Sequence, residues 1–150
     1  MIIENSKRIR RIKTLFYLGV GLLALAALVF ILIGLDLFAL ISGGVVVIWF
    51  LVFQYADFQY IWFTSAEKKV ILRFYQAVKY GRKDYQTIEF PVDLLQSYRF
   101  ENAVFGLVKD LILVVRTRKG VAEYPPVSLA ALSGREREQL EEILSGMMEK

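Results

Sequence analysis

Five carboxylates, Asp84, Glu89, Asp93, Glu101 and Asp110, are the side chains of this 150-residue chain best suited to acid–base chemistry. A pair of them would suit glycoside hydrolysis, which needs one carboxyl that holds its proton and a second that is ionised across the scissile bond. Here they fall in turns or on the outward faces of alternating segments, where carboxylates are ordinary solvated charges. The chain has no histidine and no cysteine, which removes imidazole bases, thiolate nucleophiles and most zinc sites. Its ten glycines are scattered through the chain instead of forming a phosphate-cradling loop. No catalytic constellation is legible. The chain reads as a non-enzyme, with no metal, cofactor or small-molecule substrate expected, and the lack of cysteine suits a reducing compartment.

Cations offer a different chemistry, that of binding. Lys79, Arg82 and Lys83 surround a Tyr80-Gly81 turn and could meet anionic lipid headgroups, although three cations about a glycine are more often a solvated loop. Lys119, in a Lys119-Gly120 hairpin, is a candidate contact for a partner. The net charge of +4 would suit nucleic acid, but its distribution argues otherwise. Lys7, Arg8, Arg10, Arg11 and Lys13 face only Glu4 within residues 1–13, whereas residues 57–150 hold fourteen Lys and Arg against thirteen Asp and Glu. The excess is therefore a membrane-topology signal, able also to attract anionic headgroups at about 1 kcal/mol per charge. No nucleic-acid partner is expected.

The elements that must position these charges begin with two apolar stretches. Hydrophobic residues make up 56% of the chain, above the roughly 45–50% of soluble domains. Thr14 to Gly34 and Leu37 to Ala56 carry no charge, and each is about the length needed to cross a ~30 Å hydrocarbon core as a helix. One continuous helix would be about twice too long, so the reading is two helices joined at Gly34-Leu35-Asp36. Asp36, the only charge between Lys13 and Asp57, would cost about 2.5–3.5 kcal/mol at the centre of a span and little in an interfacial turn. An intramembrane ion or proton site is the other meaning of such a charge, but neither span offers a second ionisable residue to relay to.

The five cations ahead of the first span hold that end in the cytoplasm, and Phe16, Tyr17, Trp49, Phe50, Phe53 and Tyr55 gather at the same interface. Both termini are expected inside, with only the turn outside. A cleavable signal peptide is the competing account, and Ala24-Leu25-Ala26 faintly resembles a cleavage site. The apolar run nevertheless continues through Ile33, beyond the about 7–15 residues of a signal core. Ala39 and Gly43, four apart, are expected to let the helices approach closely.

After Asp57 the period changes to two. Val70, Leu72 and Phe74 alternate with Lys69, Arg73 and Tyr75; Gln86, Ile88 and Phe90 alternate with Tyr85, Thr87 and Glu89; Tyr98 and Phe100 alternate with Arg99 and Glu101. Phe58–Phe63 reads as an earlier strand, Leu111–Val115 as a well-covered one, and Lys119-Gly120 as a turn into Val121–Tyr124. Ser133 and Glu136 then form a capping box, followed by Leu140, Ile143, Leu144 and Met147 on one helical face.

The segments "VILRFYQ", "IEFPVDLLQSYRF" and "FGLVKDLILVVRTRKGVAEYPPVSLAALSGRERE" together resemble the bacterial PH-like domains carried behind one or two transmembrane helices in small membrane proteins. The resemblance covers roughly residues 58–148 and rests on Phe105-Gly106-Leu107 before a strong strand and Pro125-Pro126-x-Ser128 before the final helix. It implies a seven-stranded, bent β-sandwich or partly open barrel capped by the C-terminal helix, where the alternation itself gives six to seven antiparallel strands and one C-terminal amphipathic helix. It does not carry phosphoinositide binding across. Glu67-Lys68-Lys69-Val70-Ile71-Leu72-Arg73 lacks the basic pattern of lipid-binding PH domains, and the tryptophan of their final helix is missing.

The expected organisation is a basic cytoplasmic segment (1–13), a helical hairpin (14–56, turn at 34–36) and a cytoplasmic PH-like domain (57–150) at a bacterial inner membrane. Three functions are consistent with it. The first is an interaction or scaffold module that binds a protein partner or its own copies. The second is an accessory subunit of a transporter or other membrane machine, and the third an anionic-lipid-binding module.

Overall fold

The computed structural model describes residues 1–78 and 85–149. The chain opens on a short strand, β1 (Ile2–Glu4), and passes at once into helix α1 (Ser6–Leu32), which is followed by α2 (Asp36–Ala56). Both helices are long and apolar enough to cross a membrane. A Schellman turn joins them. Gly34 takes φ +76°, its N–H bonds to the Ile31 carbonyl at 3.1 Å, and the Leu35 N–H reaches the Phe30 carbonyl at 2.9 Å. This C-terminal position requires a left-handed residue, which glycine supplies without a Cβ penalty. Asp36 is the first residue of α2, where the positive end of the helix dipole stabilises its carboxylate.

The helices pack along a seam that includes Phe16, Gly19 and Leu23 of α1 and Val46, Trp49 and Phe53 of α2, while Leu22, Leu25, Leu40 and Val47 point outward and are exposed. Close approach occurs at Gly19. A Cβ there would lie 2.7 Å from the Trp49 indole, whose Nε1 donates to the Phe16 carbonyl at 3.4 Å. Gly43, expected to fill that role, has nothing within 4 Å of its Cβ position. The bulky indole decides where a glycine is required, and it lies over α1, not over Gly43.

Beyond Asp57 come β2 (Gln59–Ala66), β3 (Lys69–Gln76), β4 (Gln86–Pro91), β5 (Leu95–Ala103), β6 (Val108–Thr117), β7 (Gly120–Glu123), β8 (Val127–Ser128) and helix α3 (Gly134–Met148). They form two antiparallel sheets, β1-β2-β3-β4 and β5-β6-β7, with β8 also paired to β6. The described strands number eight, not six or seven. The two that periodicity misses are β1 and β8, three and two residues long, too short to show an alternation. Residues 2–4 pair with Thr64, Phe63 and Trp62 of β2, so the start of the basic segment is part of the sheet. The β6–β7 loop is Arg118-Lys119, with Thr117 opposite Gly120 and Gly120 at φ +127°.

One core fills the space between the sheets. Ile61 and Phe63, Val70 and Leu72, and Ile88 and Phe90 face Leu111, Leu113 and Val115, and Leu140 and Leu144 of α3 close it. The alternation of β2 to β4 thus becomes a buried face and an outward one. Helix α3 starts with the capping box that its sequence announces. The Glu136 N–H donates to Ser133 Oγ at 3.2 Å, and the Ser133 N–H donates to Glu136 Oε2 at 2.6 Å.

Candidate functional site

Both long helices join the sheet domain at the same end, and Asn5 ties the junction together. Its backbone N–H donates to the Ile61 carbonyl at 3.3 Å, while its own carbonyl accepts the Ile9 N–H at 3.0 Å in the first turn of α1. With the backbone turned into a helix, the side chain extends the β1–β2 ladder. Oδ1 accepts the Ile61 N–H at 2.9 Å, and Nδ2 donates to the carbonyls of Gln59 at 3.0 Å and Ala131 at 3.4 Å. Asp57 ends α2 in a left-handed conformation, φ 44°, and accepts from the amides of Gln59 at 2.8 Å and Gln76 at 3.0 Å. Gln59 Oε1 in turn accepts the Ser128 N–H at 3.1 Å. Ile9 is buried against Ala77 and Ala131. The first two turns of α1 are thus packed into the domain.

The outward face of the first sheet continues this junction as an aromatic ladder. Tyr60 stacks on Tyr75 at 4.8 Å, and Tyr75 meets the Tyr85 ring edge-on at 4.9 Å. Lys13 of α1 holds its ammonium 5.2 Å from the Tyr75 ring centre, and Arg73 lies 5.1 Å from the Trp62 ring. The Tyr60 hydroxyl donates to Glu4 at 3.1 Å. Burial, then this bond to Glu4, pushes the Tyr60 phenol up to about 12. Sequence reasoning treated Tyr75 only as an outward residue. The local signal for the ladder is that Tyr60 and Trp62 on one strand, and Arg73 and Tyr75 on the next, are aromatic or cationic at outward positions.

The candidate cations separate into groups. Lys7, Arg8, Arg10, Arg11 and Lys13 all lie on the opening turns of α1. Arg8 comes within 3.8 Å of Glu136 at the start of α3, and Lys7, Arg8 and Arg11 border a shallow groove with Glu4 and Glu136. Lys119 sits at the opposite end of the domain. That end is marked by the Val92 N–H bonded to Lys68 in the β2–β3 turn, and by Leu95 opposite Val115 near the end of β6. Lys79, Arg82 and Lys83 lie outside the described residues, as does Asp84.

Among the carboxylates, Glu89 pairs with Lys69 at 3.3 Å, and Glu101 and Glu123 both pair with Arg99, at 2.9 and 2.8 Å. Asp110 differs. It stands opposite Glu101 in the β5–β6 ladder, and its Oδ1 is buried without a hydrogen-bond partner among the described residues. Burial, then the charges of Asp57 and Glu101, raise its carboxyl above the ordinary value. The folded chain therefore holds this proton more tightly than the unfolded one. The contribution of this one group to stability is greatest at low pH, where its folded and unfolded forms are both protonated, and is lost as pH rises through the raised folded value. Asp110→Asn is expected to raise the denaturation midpoint at neutral pH and to flatten this slope, measured by urea denaturation in detergent between about pH 4 and 7.

No family model, curated protein or solved structure matches this chain. What the domain offers must be read from its own surfaces, and two have distinct chemistry. The helix end is aromatic and cationic. At the far end, β7 exposes all four of its residues and, among the described residues, pairs only with β6. The Tyr124 N–H points inward to the Leu113 carbonyl, so by strand alternation the N–H groups of Val121 and Glu123 point outward. An open edge of this kind can take up an extended peptide.

Proposed function

We propose that this chain is a membrane-anchored interaction module. Its two apolar helices cross a bacterial cytoplasmic membrane as a hairpin with both termini inside, and its sheet domain, of the PH-like kind, binds a protein partner or a second copy of itself. Two sheets around one core with a single closing helix support the PH-like assignment, although β1 joins the first sheet from ahead of the helices. The observation that carries the functional reading is the open edge of β7, at the end of the domain away from the helices. There it faces the cytoplasm when the helices are embedded.

Val121→Pro removes an outward N–H and leaves the bonds to β6 in place. With a photo-cross-linker at Ala122 in the full-length protein in cells, a protein adduct is expected, and Val121→Pro is expected to reduce it about fivefold or more with the thermal midpoint unchanged. Undiminished adducts would overturn the edge reading. Adducts arising only from Leu25 or Val47, on the outward faces of the helices, would instead favour an accessory subunit packed against another protein's spans. Orientation is read in the same cells. A cysteine replacing Asp36 is expected to react with an impermeant maleimide before lysis, and one replacing Lys119 only after it.

A further inference from the structure

The β5–β6 hairpin ends in a tip that the interior of the domain does not use. Three successive residues take left-handed conformations, Val104 at φ 49°, Phe105 at 55° and Gly106 at 84°. Only the glycine adopts this without strain, and a β-branched valine is among the least tolerant residues. The strained turn holds two large apolar side chains outward. Phe105 is fully exposed and Leu107 is 84% exposed, and nothing lies within 4 Å of the Cβ position at Gly106.

The position of the tip indicates what covers it. Asp110 pairs with Ser128, and the Ser128 N–H bonds to Gln59, two residues after α2 ends at Asp57. Strand β6 therefore begins at the helix end of the domain and runs away from it, toward Lys119. The tip lies on the side from which α1 and α2 leave. Leu107 stands three positions before Asp110, at most about 10 Å along the strand direction. About the same length of α2 runs from Asp57 back to Phe50. Phe50 and Phe53 join Phe16 in an aromatic cluster that also includes Tyr17 and Trp49, the two residue types that gather at a membrane interface.

We infer that Phe105 and Leu107 insert into the headgroup–acyl boundary of the same membrane, giving the domain an attachment beyond its two helices. This inference rests on the membrane-spanning reading above. The ligand is the apolar boundary of the bilayer and not a particular headgroup, because the two contact side chains carry neither charge nor hydrogen-bonding group. The contact would fix how the domain is turned on the membrane and keep the β7 edge directed away from it.

The chain has no native cysteine, so Leu107→Cys, Lys119→Cys and Val47→Cys can each carry one fluorescent label in the full-length protein in phosphatidylcholine nanodiscs. Quenching by nitroxide-labelled lipid is expected to be about fivefold or more stronger at position 107 than at 119, with position 47 also lipid-quenched. A label at 107 that behaves like the one at 119, while 47 remains lipid-quenched, overturns the inference and leaves the spanning reading intact. Protection at 107 from both lipid and aqueous quenchers would mean a protein covers the tip, and would equally overturn it. Aqueous quenching at 47 would remove the spanning reading and the inference together.

Discussion

Asn5→Ala is expected to destabilise the sheet domain by about 3 kcal/mol, a large loss for one small side chain. Asn5 is only 2% exposed and Ile61 is fully buried. Its removal leaves the Ile61 N–H without its acceptor and takes a donor from the carbonyls of Gln59 and Ala131. A buried donor left unpaired costs about 1–3 kcal/mol, with smaller costs for carbonyls that retain a second lone pair. The effect should spread to β1, because Asn5 is the rung at which that strand becomes a helix. Urea denaturation of the full-length protein in detergent measures the loss, and hydrogen exchange at Ile61 locates it. Asn5→Asp is expected to be worse than alanine: it keeps an acceptor for Ile61 but turns a carboxylate toward two carbonyls. A loss below about 0.5 kcal/mol for Asn5→Ala would mean that this network does not hold the helix to the sheet.

Gly19→Leu is expected to separate the two long helices where Gly19 faces Trp49. Even a Cβ at this position would stand 2.7 Å from the Trp49 ring, so the indole must leave its place and give up its bond to the Phe16 carbonyl. Overpacking of this kind costs about 1–3 kcal/mol, and more where a ring cannot rotate away. If the helices lie in lipid, as proposed, no hydrophobic effect drives them together and close packing must carry the association. SDS-driven unfolding, followed by Trp49 emission in a Trp62→Phe background, should show the loss for Gly19→Leu and a smaller one for Gly19→Ala. With Trp49→Ala present, Gly19→Leu should cost little when unfolding is followed by circular dichroism, since the two residues act on the same space. Equal losses in both backgrounds would place the close approach elsewhere. The same substitutions at Gly43 are expected to be nearly silent.

Much of this architecture was legible locally. The charge gap from Thr14 to Ala56 and its interruption at Gly34 marked two helices, because helix rise and membrane thickness set the length of a span. Alternation in Lys69–Tyr75 and Tyr85–Phe90 marked half-buried strands, and Ser133 with Glu136 marked the start of α3, each signal lying within a few residues. The close approach at Gly19 was not legible, since glycines at 19, 21, 43 and 44 are equivalent until the position of Trp49 is known. Nor was the tyrosine ladder, whose members are neighbours only in the register that sets Tyr60 opposite Tyr75.

Short windows of sequence carry the two apolar stretches, the hairpin turn, the strand periods, the cap of α3 and the cluster of positive charge ahead of the first uncharged run. They do not carry the start of α1: read from sequence, that helix begins at Thr14, whereas it runs from Ser6 and takes Lys7 to Lys13 into its opening turns, where Ile9 packs against Ala77 and Ala131. Tertiary structure alone decided that Ile2–Glu4 is a strand, that Asn5 completes a ladder with residues more than fifty positions away, and that the Phe105 tip and Lys119 lie at opposite ends of the domain. Such pairings carry no local signature. They form only when distant segments close against a shared core, where a buried N–H or carbonyl must find a partner wherever the chain provides one.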